Sequence, residues 1–92
     1  MFSSCQNKGF HITFGNGVTI SVQFGPGNYC EKRGEDFRAP ESTSIWSCEH
    51  AEVAILLPDG RFYPIQDCDD VIGWQTADDV AKWIEFARNL IV

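Results

Sequence analysis

Residues 9–30, GFHITFGNGVTISVQFGPGNYC, constrain this chain more than any other stretch, because alternating apolar residues flank a turn whose length decides which faces pair. Phe10, Ile12 and Phe14 before the turn and Val18, Ile20 and Val22 after it each repeat every second residue. That is the period of a strand with one buried face. A two-residue Asn16-Gly17 turn would pair Phe14 with Thr19 and throw the two apolar sets onto opposite faces, as any one-residue register error does. A three-residue loop of Gly15, Asn16 and Gly17 pairs Phe14 with Val18, Ile12 with Ile20 and Phe10 with Val22, all on one face. Gly17 then takes the left-handed position of a type I turn with a bulge. His11, Thr13, Thr19, Ser21 and Gln23 line the other face. The hairpin therefore asks for a covering layer on one side, and the sheet is expected to be antiparallel.

A second hairpin follows the same logic. AEVAILL over residues 51–57 runs into Pro58-Asp59-Gly60 and returns through residues 61–65. Proline presets the first turn position and Gly60 supplies the positive φ. A three-residue loop pairs Ile55 with Tyr63 and Val53 with Ile65, leaving Ala54, Leu56 and Phe62 on the opposite side. Apolar residues on both faces mark this hairpin as central. Pro64 lacks an amide hydrogen and belongs at a ladder position that needs no donor, or at a bulge.

From Thr76 onward the period becomes helical: Val80, Trp83, Ile84, Ala87, Leu90 and Ile91 form one stripe at i, i+3, i+4, i+7, i+10 and i+11. Thr76 is placed to cap the first turn with Asp79 in the capping-box position. Asp78 and Asp79 suit the positive end of the dipole, and Arg88 the negative end. Read to the chain end, this helix spans roughly 24 Å, enough to cross four strands. The expected fold is α+β: an antiparallel sheet of two hairpins, about four to five strands, covered on one face by a C-terminal helix.

With 92 residues, 43% hydrophobic and 13% aromatic, the chain has material for one core. It reads as a single domain over residues 1–92 with one long loop over residues 31–47. The longest apolar run, residues 53–57, is far short of a membrane span, and residues 1–9 lack the apolar core of a signal peptide. A soluble, cytosolic protein is expected.

Charge is unevenly placed. Residues 1–30 carry only Lys8, residues 31–46 hold four acids and three bases, and residues 47–92 hold nine acids and three bases. The net charge of −6 thus sits in the second half, where Asp67, Asp69, Asp70, Asp78 and Asp79 surround residues 71–75 without a base among them. This stretch reads as a solvated acidic loop and helix start, or as a surface that docks a basic partner or mimics nucleic-acid phosphates. Direct nucleic-acid binding is disfavoured, since it needs clustered Lys and Arg.

Cys5, Cys30, Cys48 and Cys68 could form two disulfides, but without a secretory signal they read as reduced, buried thiols. An alternative metal site would use Cys30, Cys48, His50 and Cys68; no CxxC knuckle supports it, and no cofactor is expected. His50-Ala51-Glu52 resembles the H-x-E half of a zinc nucleotide deaminase site. The P-C-x-x-C half is missing, and the motif falls at the start of a strand. Gly25-Pro26-Gly27-Asn28 reads as a tight turn; no helix follows it, as a phosphate loop would require. The 17 residues 31–47 exceed an ordinary connection, a length that in compact domains goes with function or mobility. Trp46, near the end of this loop, is either a contact anchor or part of the core.

The combination Asn7-Lys8-Gly9-Phe10-His11-Ile12-Thr13-Phe14, Asn16-Gly17, Ser21-Val22-Gln23-Phe24-Gly25-Pro26-Gly27-Asn28-Tyr29-Cys30, Ala51-Glu52-Val53-Ala54 and Gly73-Trp74-Gln75-Thr76 resembles small proteins encoded by tailed bacteriophages. The resemblance covers both hairpins and the helix, with GxGNYC its most specific element, and the long middle loop departs from it. It implies a setting, the cytoplasm of an infected host, and no mechanism.

In that setting the leading expectation is a non-enzymatic binding protein that docks and inhibits a host protein with a basic surface, such as a component of antiviral defence. Its contact residues would be Trp46, Glu49, Asp67, Asp69, Asp70 and Asp78. The alternatives are a module for a nucleotide or signal molecule and a metal-dependent enzyme using Cys48, His50 and Glu52. Trp74, Tyr63 and Phe62 exceed what one short helix covers. An uncovered strand edge with spare aromatics points to a homodimer.

Overall fold

The computed structural model describes residues 1–4, 8–24, 47–66 and 70–92. The 25–28 turn, nearly all of the 31–47 loop with Trp46, and Cys5, Cys30, Asp67, Cys68 and Asp69 lie outside them. Among the described residues, five strands, β1 (Phe2–Ser4), β2 (Gly9–Thr13), β3 (Thr19–Gln23), β4 (Ala51–Leu56) and β5 (Val71–Gln75), precede one helix, α1 (Ala77–Arg88). They form a single antiparallel sheet in chain order, β1-β2-β3-β4-β5. The α+β expectation is thus met, and among the described residues no helix is long and apolar enough to cross a membrane.

The first hairpin takes the register that its apolar alternation requires. Phe10 lies opposite Val22 and Ile12 opposite Ile20. The Phe14 amide donates to the Val18 carbonyl at 2.9 Å and the Gly17 amide to the Phe14 carbonyl at 3.0 Å, closing the three-residue loop with Gly17 at φ +84°. On the reverse face Thr13 and Thr19 share a hydroxyl hydrogen bond of 2.8 Å, and Gln23 Nε2 donates to Ser21 Oγ. Ser21 is nonetheless buried, because β3 is the middle strand with β2 and β4 on its flanks. At the far end Gly9 has φ +150°, and a Cβ there would stand 2.0 Å from the Val22 carbonyl oxygen. Only glycine lets β2 approach β3 this closely.

The second hairpin departs from its expected course beyond Tyr63. Its loop closes as read: Leu57 N donates to Arg61 O, Gly60 N to Leu57 O and Tyr63 N to Ile55 O. Leu56 bridges Phe62. Val53, however, lies opposite Ile72 and not Ile65, because β5 takes the edge of β4 from Ala54 back to Ala51. Only one strand fits there. Residues 71–75 bring a full set of amides with Val71 and Ile72 for the two faces, whereas residues 64–66 bring a proline. Ile65 still buries its side chain in the core, and Gln66 Nε2 donates to the Val71 carbonyl at 2.9 Å, tying the crossover to β5. Residues 71–75 are therefore an edge strand and not part of an acidic loop.

Helix α1 has the expected capping box: Asp79 N donates to Thr76 Oγ1 at 3.1 Å, and Thr76 N donates to Asp79 Oδ2 at 3.0 Å. It ends at Arg88 instead of running to the chain end, so its 12 residues span about 18 Å and pack on β3, β4 and β5. Two asparagines stop it. Asn89 turns its side-chain amide back to the Glu85 carbonyl at 2.9 Å. Asn16, from the first hairpin loop, donates to the carbonyls of Ala87 at 3.0 Å and Leu90 at 2.9 Å, while its Oδ1 accepts from Val18 N at 3.0 Å. Carbonyls that would have accepted from a further turn are thus satisfied by a distant part of the chain.

The core lies between α1 and the sheet. Val18, Ile20, Val53, Ile55 and Ala87 have no exposed surface, with Val80, Trp83, Ile84, Leu90 and Ile72 packed around them.

Candidate functional site

Where β4 begins and β5 ends, the ladder carries a bulge. Ala51 lies opposite Gln75 and Val53 opposite Ile72, so Gly73 and Trp74 together oppose Glu52. Trp74 absorbs the extra residue at φ +56°, a conformation that a bulky side chain adopts only at a cost of roughly 1–2 kcal/mol. Its indole is 54% exposed and meets the His50 ring edge-on, with centroids 5.8 Å apart. A strained, exposed tryptophan needs a reason, and packing supplies little of one.

Gln75, the next residue, faces inward. Its Oε1 accepts from Trp83 Nε1 at 2.8 Å, fixing the strand end to α1. Thr76 and Asp79 then start the helix beside the bulge. The Thr76 amide and side chain hold the Asp79 carboxyl below its ordinary value of 3.8, with the charges of Lys82 and His50 acting the same way. A depressed carboxylate pKa adds stability above the unfolded value and loses it as pH falls through the folded one. Thermal unfolding of the wild type should therefore fall off below about pH 4 more steeply than that of Asp79→Asn; parallel curves would contradict the linkage.

Of the acids read as partner contacts, Glu49, Asp70 and Asp78 are exposed; Glu49 precedes His50 and Asp78 lies in the first turn of α1, both at the bulge end, whereas Asp70 precedes Val71, which pairs with Ala54 at the other end of β5. Trp46, Asp67 and Asp69 lie outside the described residues. Cys48 and His50 are two residues apart and half-buried before β4, while Cys30 and Cys68, the other members of the alternative metal set, lie outside the described residues. Among the described residues no group of three or more His, Cys, Asp or Glu is placed to hold a metal ion. Glu52 is half-buried on β4 opposite Gln23, in a strand as read. A cavity of about 350 Å³ lies beside this corner, with Phe10, Phe24 and Val80 among its apolar walls and Cys48, His50 and Gln75 among its polar ones.

Sequence reasoning marked Trp74 as an aromatic that the helix does not cover and missed that it sits in a bulge. The missing signal is β5 itself, whose five residues show no clean alternation because Gly73 and the bulge interrupt it.

No family model matches the chain, and no curated protein and no solved structure matches it either.

Proposed function

We propose that this protein is a non-enzymatic docking protein whose corner of Trp74, His50 and the exposed acids Glu49 and Asp78 engages a basic surface on another protein. In the setting that the phage resemblance implies, the partner is a host protein and docking blocks it. The observation that carries this reading is Trp74. An indole held at positive φ and half in solvent costs stability, and strain of this kind concentrates at sites of recognition. Tryptophan is also the residue most enriched among interface residues that carry binding energy. The surrounding acids supply steering toward positive charge, with binding that weakens as salt rises.

Trp74→Gly separates this role from a structural one. Glycine relieves the positive φ at an entropic cost of similar size, so unfolding stability should change by less than about 1 kcal/mol. Capture of a partner from host cytoplasm by the tagged protein should be lost in Trp74→Gly and reduced in Glu49→Lys/Asp78→Lys, with the same partner identified by mass spectrometry in wild-type eluates. No partner in stoichiometric amount, or equal capture by the variants, would overturn the proposal.

The cavity beside the corner favours a second reading, a module for a small ligand, since its volume falls in the range of small-molecule sites. Native mass spectrometry of the same eluates distinguishes the two: a small added mass on the chain supports the ligand, a protein complex the docking surface.

A further inference from the structure

The opposite end of the molecule carries a different surface. Both hairpin loops and the end of α1 meet there: a Cβ at Gly17 would stand 3.1 Å from Pro58 Cγ, and Asn16 reaches the carbonyls of Ala87 and Leu90. Beside them lies a groove of about 600 Å³ lined by Leu57, Pro58, Tyr63, Leu90, Ile91 and Val92. Ile91 is 95% exposed and Val92 64%, and with Leu57, Pro58, Tyr63 and Leu90 beside them apolar surface is concentrated here beyond scattered single residues.

The groove's rim holds one fixed pair of charges. Arg61 Nε donates to Asp59 Oδ2 at 2.6 Å and the Arg61 amide to Asp59 Oδ1 at 3.0 Å, so carboxylate and guanidinium form a small dipole of set direction, both largely in solvent. The Arg61 backbone and side-chain hydrogen bonds hold the Asp59 carboxyl below its ordinary range.

We propose that this end binds a second copy of the chain through a two-fold contact, groove against groove, with Asp59 of each copy facing Arg61 of the other. A two-fold interface sets a patch against itself, so a patch of one sign repels its mate. Residues 47–92 carry the whole net charge of −6, so surfaces built from this half would tend to do so. The Asp59–Arg61 dipole carries its own counter-charge, and turned through two-fold symmetry it meets opposite sign at both positions. The contact also leaves the acidic corners at the outer ends, about the length of β4 and α1 from the axis. That is beyond the roughly 8 Å over which charge acts at physiological salt. A standard interface takes about 800 Å² from each partner, about a seventh of the 5907 Å² surface of this chain. The surface is distinct from the Trp74 corner, and neither assignment depends on the other.

Sedimentation velocity of the full chain over a micromolar to sub-millimolar concentration series tests it. The wild type should pass from monomer to dimer by mass action. Asp59→Arg and Arg61→Asp, each alone, should associate at least about tenfold more weakly, because like charges then face each other. An equimolar mixture of the two variants should recover a mixed dimer. Ile91→Lys, outside the turn, should also remove the dimer while leaving circular dichroism unchanged. A wild type that stays monomeric throughout, a dimer that the variants form equally well, or a mixture no more associated than its components would overturn the proposal.

Discussion

Ile55→Ala should lower unfolding stability by about 4 kcal/mol, seen as a lower urea midpoint with an unchanged slope. Ile55 has no exposed surface, lies opposite Ile20 on the inner face, and is held in place by β3 on one side and by the Tyr63 amide on the other. Its neighbours cannot collapse into the space left behind, because the ladder fixes their backbones. The lost transfer energy is then joined by a cavity term. For a domain whose whole stability is about 5–15 kcal/mol, that is a large share. Leu56→Ala, next in the chain but half-buried on the outer face, should cost less than half as much. Equal losses at the two positions would mean that the helix-covered face is not where the core lies.

Asn16→Ala should cost about 2–3 kcal/mol, an unusual loss for a loop side chain. The side-chain amide ties the helix end to the first hairpin: it donates to the Ala87 and Leu90 carbonyls at the end of α1, and its oxygen accepts from Val18 at the start of the return strand. Removing it leaves acceptors at the negative end of the helix dipole without their donor. Asn16→Asp is the sharper probe. It preserves shape and the Val18 contact but turns a carboxylate toward carbonyl oxygens, so near neutral pH it should be less stable than the alanine variant and should recover as the carboxyl is protonated. Amide exchange across residues 85–90 should quicken in both. A loss below about 0.5 kcal/mol in the alanine variant would show that the helix end is held by Asn89 alone.

These two residues also mark how far the sequence can be read. Ile55 was recognisable as a buried strand residue paired with Tyr63, because the Pro58-Asp59-Gly60 turn sets that register locally; with apolar residues on both faces of the strand, which face α1 covers was not. Asn16 was recognisable only as a turn residue. Its bonds to the carbonyls of Ala87 and Leu90 span more than 70 positions, and no local pattern encodes them. The candidate site divides the same way. The acids Glu49 and Asp78 and the cap pair Thr76 and Asp79 were visible as composition and spacing, but that Asp70 lies at the other end of β5 was not. The bulge that strains Trp74 against His50 was not.

What the sequence determined by itself is whatever depends on neighbours within a few residues: the face and register of the first hairpin, both three-residue loops, the capping box that starts α1, and the placing of negative charge in the second half. The tertiary structure decided everything settled by competition between distant segments. It chose β5 over residues 64–66 for the edge of β4, because residues 71–75 bring amides and apolar side chains where the other stretch brings a proline. It stopped α1 at Arg88, because an asparagine from the far end of the sheet satisfies the carbonyls that further turns would have used. Local preferences are written in single residues, whereas these outcomes turn on differences between pairings that exist only once the chain has folded.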